Sequence, residues 1–416
     1  MAKDTADSPG VHLPWAGKSV RIENVEQELA FLWKMSADNL RTGQNVNVRT
    51  SVLNFVICAP DIESAQHASR LLRELSSTHL ARVTLVILDS GNTAPPNIST
   101  WVTLRCFSIF SDLMRHCFEQ TTILTIGTAV RSVANIIQPL LKPDLPVYLW
   151  WLGDPPDDDT IFRSLVELSN RVIVDSTSFF NPEQDIQTLA ALFQANPNCA
   201  LSDLNWGRIT PWRQLAAQFF DVAEYRPYLA GITSIEIEHA AAPIAIRMRT
   251  EEGDVSPNPT RALLLAGWLK DRLGWILATD ALCSRDTATG TYSWIMERPT
   301  ISHSSTRGKT GRLGSVQDGI ISIRPKVRPE LRPGSICLVR MTSNIENKQA
   351  TFTISREDDP DTVLTSVEMS NETRPQRTVS LASVHKESEL LYDELEITGH
   401  DYPFEQTLQE VAELLA

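Results

Sequence analysis

The chain has 416 residues, 42% of them hydrophobic, and a formal net charge of -13. That length can bury a large core and, on a soft prior, holds two or three domains, while the negative balance argues against nucleic acid or an anionic membrane surface as the principal partner. Met1 to Gly10 is polar and no run of about 18 uncharged apolar residues occurs, so a cytoplasmic protein without a membrane segment is expected. The cysteines, Cys58, Cys106, Cys117, Cys199, Cys283 and Cys337, are scattered without close pairing and read as reduced thiols. Glycine is sparse, 18 residues in all against a usual share of about 7%, which disfavours phosphate-cradling loops.

Residues 1–20 read as a flexible leader. Ile22, Val25, Leu29, Leu32 and Trp33 recur at helical spacing, and a strand follows over Val48 to Ala59. Pro60-Asp61 opens a helix through Leu75, and Val83 to Leu88 is a second apolar strand. Trp101 to Phe107 reads as a strand, Ile109 to Glu119 as a short helix, Thr121 to Ile126 as a strand and Thr128 to Leu141 as a helix. Val147 to Leu152 is a strand, Asp157 to Asn170 a helix and Arg171 to Asp175 a strand. Continuous apolar strands alternating with helices predict, for residues 21–180, a doubly wound, mostly parallel, Rossmann-like α/β sheet.

The rhythm then changes, and residues 181–416 read as a C-terminal α+β domain with an antiparallel sheet. Asn181 to Gln194 is helical, and Thr210-Pro211 opens a helix with Thr210 as N-cap and Trp212, Leu215, Phe219 and Val222 on one face. Ser234 to His239 and Ile244 to Arg249 alternate as two strands of a hairpin or meander, and Thr260 to Leu273 is a helix stopped at Gly274. Short strands are expected at Tyr292 to Met296, Ile320 to Arg324, Ile336 to Met341, Thr351 to Ser355 and Val363 to Met369. Phe404, Leu408, Val411 and Leu415 mark a closing amphipathic helix that docks on this domain. Arg298 to Arg332 carries eight basic residues against Asp318 and Glu330, which is either a solvated loop or a surface for an anion.

Two segments concentrate unusual residues. Leu145-Pro-Val-Tyr-Leu-Trp-Trp-Leu-Gly-Asp-Pro-Pro156 is a strand on which Trp150 and Trp151 point to opposite faces, each needing its own apolar cover. It ends at Gly153 and Asp154, where open α/β sheets carry sites. Asp203-Leu-Asn-Trp-Gly-Arg-Ile-Thr-Pro-Trp-Arg213 brings together Asn205, Trp206, Arg208, Trp212 and Arg213, and Trp and Arg dominate binding hot spots. A domain seam, with Asp203 paired to Arg208 or Arg213, accounts for that segment equally well.

Catalytic and cofactor signatures do not emerge. The first strand runs into Cys58-Ala-Pro-Asp-Ile-Glu63, so the dinucleotide fingerprint is missing and no cofactor is expected. Gly308-Lys-Thr310 lacks the leading glycine and the strand-to-helix setting of a phosphate loop. The histidines show no pair at i, i+4, and Asp154 with Asp157, Asp158 and Asp159 fits helix-dipole capping better than a metal site. No Gly-x-Ser-x-Gly elbow occurs, and no carboxylate pair stands out as acid and base.

In this order and at this separation, the two Trp-rich segments resemble those of the OpcA family of glucose-6-phosphate dehydrogenase assembly proteins, and the Trp-Trp-Leu-Gly-Asp-Pro-Pro form is closer to the cyanobacterial branch. The likeness runs from about Val20 onward. It implies a non-catalytic α/β protein that binds glucose-6-phosphate dehydrogenase, promotes its active oligomer and raises its response to glucose 6-phosphate, governing entry to the oxidative pentose phosphate pathway. Trp150, Trp151, Gly153, Asp154, Asn205, Trp206, Arg208, Trp212 and Arg213 are then interface candidates. For the cyanobacterial branch the resemblance also implies thioredoxin as a partner acting on cysteines. The spacing supplies no dithiol pair for it: no cysteine follows Cys337, and the nearest two, Cys106 and Cys117, fall on different elements. A sugar-phosphate enzyme with its site at Gly153-Asp154 is the alternative.

Overall fold

The computed structural model describes residues 13–40, 46–49, 51–75, 81–109, 111–156, 160–241, 258–278, 284–286, 289–298, 317–357, 359, 361–369, 372–373, 376–381 and 386–416. The chain divides into two units. The first comprises Met1–Asp175, Ala195–Ser202 and Lys386–His400, and the second Ser176–Gln194, Asp203–His385 and Asp401–Ala416.

The first unit is built on a sheet of strands β1 (Lys18–Val20), β2 (Val46–Arg49), β3 (Leu53–Ala59), β4 (Ala81–Asp89), β5 (Asn97–Ile109), β6 (Ser111–Ile126), β7 (Val147–Trp151), β8 (Arg171–Val174) and β9 (Ala200–Asp203), interspersed with helices α1 (Val25–Leu40), α2 (Ile62–Leu75), α3 (Val133–Ile137) and α4 (Thr160–Glu167). Its order is β1-β5-β6-β4-β3-β7-β8-β9, with β2 beside β6. Pairs β3/β4, β4/β6, β3/β7, β7/β8 and β2/β6 are parallel, whereas β1/β5 and β5/β6 are antiparallel. Every residue of β3 and β7 is buried, as expected of central strands covered on both faces.

Four expectations for this unit are corrected. Ile109 to Glu119 is not a helix: residues 111–119 are the first half of β6, which pairs with β5 in a long hairpin. That hairpin sets Cys106 directly opposite Cys117, and the two are joined in a disulfide with a Cα–Cα distance of 4.0 Å, so they are not the reduced thiols their spacing suggests. The leader is ordered from Leu13 onward, where Leu13 and Ala16 are buried and β1 pairs with β5; its residues 1–12 lie outside the described residues. Thr128 to Leu141 is also broken, with a short helix α3 between two 3-10 turns.

Buried charge in the first unit is neutralised locally. Arg82, at the sheet centre, reaches Glu26 and lies 3.1 Å from Glu119, which also accepts from the Trp33 indole at 2.7 Å. Arg171 contacts Ser202 and the Gly399 carbonyl, stands 3.7 Å from Glu394 and lies over the Tyr148 ring at 5.7 Å.

The second unit continues the helices with α5 (Pro182–Ala195), α6 (Leu204–Arg208), α7 (Thr210–Gln218), α8 (Arg226–Leu229) and α9 (Thr260–Leu273). Its sheet holds β10 (Ile232–Ala241), β11 (Ile276–Leu277), β12 (Ser284–Asp286), β13 (Thr291–Arg298), β14 (Gln317–Val327), β15 (Ile336–Ile345), β16 (Lys348–Arg356), β17 (Thr362–Met369), β18 (Glu372–Thr373) and β19 (Arg377–Ser380). The expected antiparallel sheet is mixed, because β10 pairs parallel with β14 while pairing antiparallel with β15. Parallel pairing requires a long crossover, and helix α9 lies in the chain between these two strands. Ile244 to Arg249, expected as a strand following β10 in a hairpin or meander, lies outside the described residues. Helix α10 (Glu387–Glu396) returns to the first unit and α11 (Tyr402–Leu415) to the second. Phe404, Leu408, Val411 and Leu414 of α11 are buried against α9, where Gly267 lets the helices approach closely.

Candidate functional site

The residues singled out by sequence fall into two groups, one on each unit. On the first, the pleat separates the paired tryptophans as expected. Trp150 is fully buried and its ring lies parallel to that of Phe55, with centroids 6.3 Å apart. Trp151 turns the other way, packs on Phe162 of α4 at 4.6 Å and donates its indole N–H to the Asp154 carbonyl at 2.9 Å. That bond ties the Gly153 turn, where φ is 92°, to the end of the strand. Asp154 is exposed, and Asp157 to Asp159 lie outside the described residues.

On the second unit the Asp203 to Arg213 segment is the hub of a polar network. Asp203 N-caps α6: one carboxylate oxygen accepts from Asn205 N at 2.9 Å and Ser176 N at 3.1 Å, and the other from the Ser176 hydroxyl. Asn205, 1% exposed, donates to the Ser176 hydroxyl at 2.9 Å. Its carbonyl oxygen accepts from Arg261 at 2.9 Å, Arg208 at 3.0 Å and Thr177 at 3.0 Å. Pairing of both its polar atoms is what keeps so buried an amide stable.

Trp206 extends the network toward α11, donating to Asp401 at 2.9 Å and packing on Phe404 at 5.6 Å. Arg213 stacks on the same ring, its guanidinium 3.4 Å from the Trp206 centroid, a cation–π contact strengthened by partial desolvation. Burial lowers its pKa to about 10, with Asp401 opposing that shift and Arg272 adding to it. Trp212 is 3% exposed and lies beneath Arg356 at 5.6 Å. Thr210 was expected to cap α7, but its hydroxyl donates back to the Trp206 carbonyl at 3.3 Å and Pro211 alone marks the helix start. Asn258 joins the network by donating to the Ser176 carbonyl at 2.8 Å. The partners Ser176, Asn258, Arg261, Asp401 and Phe404 carried no sequence signal of this role, since they lie on other elements. Asn258-Pro259-Thr260 reads only as a helix start.

Part of the basic Arg298 to Arg332 stretch is neutralised by strand β10. Arg324 bonds Glu238 at 2.6 Å and also reaches Glu236, Lys326 bonds Glu238 at 3.0 Å, and Arg298 donates to the Ile232 carbonyl at 2.7 Å. Burial of Glu238 disfavours its charge, but the hydrogen bonds and charges of Lys326 and Arg324 outweigh that and hold its carboxyl below the usual range. Residues 299–316 lie outside the described residues. Among the described residues, no three His, Cys, Asp or Glu side chains converge as a metal site, and no helix is long and apolar enough to cross a membrane.

Comparison with known proteins covers both parts of the chain. Residues 72–191 match the family described as glucose-6-phosphate dehydrogenase subunit N-terminal domain, and residues 199–408 the one described as its C-terminal domain. The chain is 35% identical over 159 residues to the OxPP cycle protein OpcA of Synechocystis sp., covering 38% of this chain and 30% of that protein. The protein of the same name from Nostoc punctiforme is likewise 35% identical over 159 residues, with the same two shares. The matched stretch therefore spans about a third of the length of these curated relatives. Among solved structures, an inositol dehydrogenase homolog from Azotobacter vinelandii aligns with a TM-score of 0.40 at 12% identity, over 90% of this chain and 87% of that one. A levoglucosan dehydrogenase gives 0.44 at 9% identity, over 87% and 96%. Likeness at that level carries no inference about chemistry.

Proposed function

Because the chain belongs to the OpcA family of glucose-6-phosphate dehydrogenase assembly proteins, we propose that it is a non-catalytic activator that binds glucose-6-phosphate dehydrogenase, promotes its active oligomer and raises its response to glucose 6-phosphate. The observation that carries this reading is the pair of family matches, 72–191 and 199–408, which together take in both Trp-rich segments. Activation is then linkage: binding favours the competent conformation of the dehydrogenase by the difference in its affinity for the two states. In this reading Trp150, Trp151, Asn205, Trp206 and Trp212 are framework, since each is buried within its own unit. Gly153, Asp154, Arg208 and Arg213 are the contacts, because they reach the surface at the ends of that framework. Thioredoxin as a second partner draws on family resemblance alone.

The test is size-exclusion chromatography of the full chain mixed with the dehydrogenase, followed by saturation curves in glucose 6-phosphate. Co-elution and a lower half-saturating concentration are expected. The substitutions Asp154→Lys and Arg208→Glu should each weaken binding by roughly 1 kcal/mol or more, as for hot-spot contacts. Separate elution with unchanged kinetics would sink the proposal.

A further inference from the structure

A cavity of about 290 Å³ opens on the first unit. Trp15 comes from the segment entering β1, Gln66, Ser69 and Arg73 from one face of α2, and Thr103 and Arg105 from β5. Gly17 fixes the entering segment against β5: at φ 105° it lies so close that an added Cβ would sit 2.4 Å from the Val102 carbonyl oxygen. That wall of the cavity is therefore held by backbone packing.

The wall orients one cation in particular. Arg105 donates from Nη2 to the Trp15 carbonyl at 3.2 Å and to the Ser69 hydroxyl at 3.0 Å, which locks the plane of its guanidinium. Its Nε–H is buried and has no hydrogen-bond partner, an unmet demand in a protein interior. Arg73 lines the same cavity and shares it with Arg105 without a carboxylate among the lining residues. Burial lowers the Arg105 pKa, and the like charge of Arg73 adds to that shift. Two guanidiniums lining one cavity beside hydroxyl and amide groups, in a chain of net charge -13, form a local positive site.

We propose that this cavity is a binding site for a small metabolite carrying an oxyanion, a phosphate monoester or a carboxylate. The planar guanidinium fork of Arg105 matches such a group and Arg73 supplies the second charge. Gln66 and Thr103 face the polar remainder of the ligand, and the Trp15 indole offers an apolar wall for its carbon skeleton. The volume lies near the lower end of the roughly 300–1,000 Å³ usual for ligand pockets, which suits a metabolite of a few carbons and excludes a dinucleotide. The proposal rests on first-unit residues alone and stands or falls separately from the dehydrogenase-partner reading.

Isothermal titration of the full chain at low ionic strength with inorganic phosphate, glycerol 3-phosphate and succinate tests it. Saturable one-to-one binding is expected for at least one probe at roughly millimolar or lower concentration. Binding of the two phosphates alone identifies the monoester class, and binding of succinate alone the carboxylate class. Arg105→Gln should abolish the signal. Since it also removes the bonds to Trp15 and Ser69, Arg73→Gln, at an exposed position, is the deciding variant: it should bind roughly tenfold more weakly with an unchanged melting temperature. No saturation with any of the three probes, or undiminished binding by Arg73→Gln, would overturn the proposal.

Discussion

His239 shows how one buried polar side chain couples the second unit to pH. It is 1% exposed on β10, and neither ring nitrogen makes a well-formed hydrogen bond among the described residues. Burial lowers its pKa from 6.5 to about 4, only partly offset by the Ala240 backbone. A depressed pKa on a base means that the unfolded chain takes up the proton first. The stability held by the neutral ring is thus fully present above about pH 6.5 and is lost as the pH falls toward 4, a span worth about 3 kcal/mol. His239→Leu should flatten the decline in urea midpoint across that window relative to the parent. Parallel curves for the two proteins would mean that the ring is charged when folded. Sequence marked Trp206, Asn205 and Arg213 as a group because composition within eleven residues is visible in a string. It could not mark Asp401 as the Trp206 partner, 195 residues away.

At the scale of elements, strand and helix periods read true where burial is strong and fail where a neighbour decides. Strands β3, β4 and β7 are continuous apolar runs and were legible on that ground. Ile109 to Glu119 mixes charged and apolar residues without a clear period, and the pairing of β6 with β5 overrides its local preference. The parallel contact of β10 with β14 was illegible for a related reason, since each strand alone looks like one from an antiparallel sheet. Packing of α9 on α11 yields a test in which two effects oppose. Gly267→Ala should gain about 1 kcal/mol of helix propensity. Its Cβ, however, would lie 2.6 Å from the Val411 methyl and 3.0 Å from the Thr407 carbonyl, a backbone atom. Overpacking of that kind costs typically 1–3 kcal/mol, so a net loss in thermal stability is expected, relieved in part by Val411→Ala. A more stable Gly267→Ala protein would show that the helices can separate without penalty.

For the whole molecule, chain order and spatial order diverge. Residues 195–202 and 386–400 belong to the first unit although the second unit lies between them in sequence. Arg171 makes this consequential, because Ser202, Glu394 and Gly399, the groups that satisfy it, all lie in those returning segments. A fragment of residues 1–175 would keep Arg171 and lose those groups, and a buried charge without partners is strongly destabilising, by about 3–5 kcal/mol. Such a fragment should show poor amide dispersion in NMR spectra and no cooperative melt, and adding a peptide of residues 386–400 should restore part of the order. A cooperative melt for 1–175 alone would contradict this account.

The same interleaving has a consequence during synthesis. A nascent chain ordinarily completes its first domain while later residues are still being made. Here β9 is made early, but the counter-charge from α10 emerges only after residues 203–385 have been translated. The first unit must therefore wait, with Arg171 lacking Glu394 and Gly399, until residues 203–385 have passed through the ribosome. The two units become complete at almost the same moment, close to the time when either could first meet a partner.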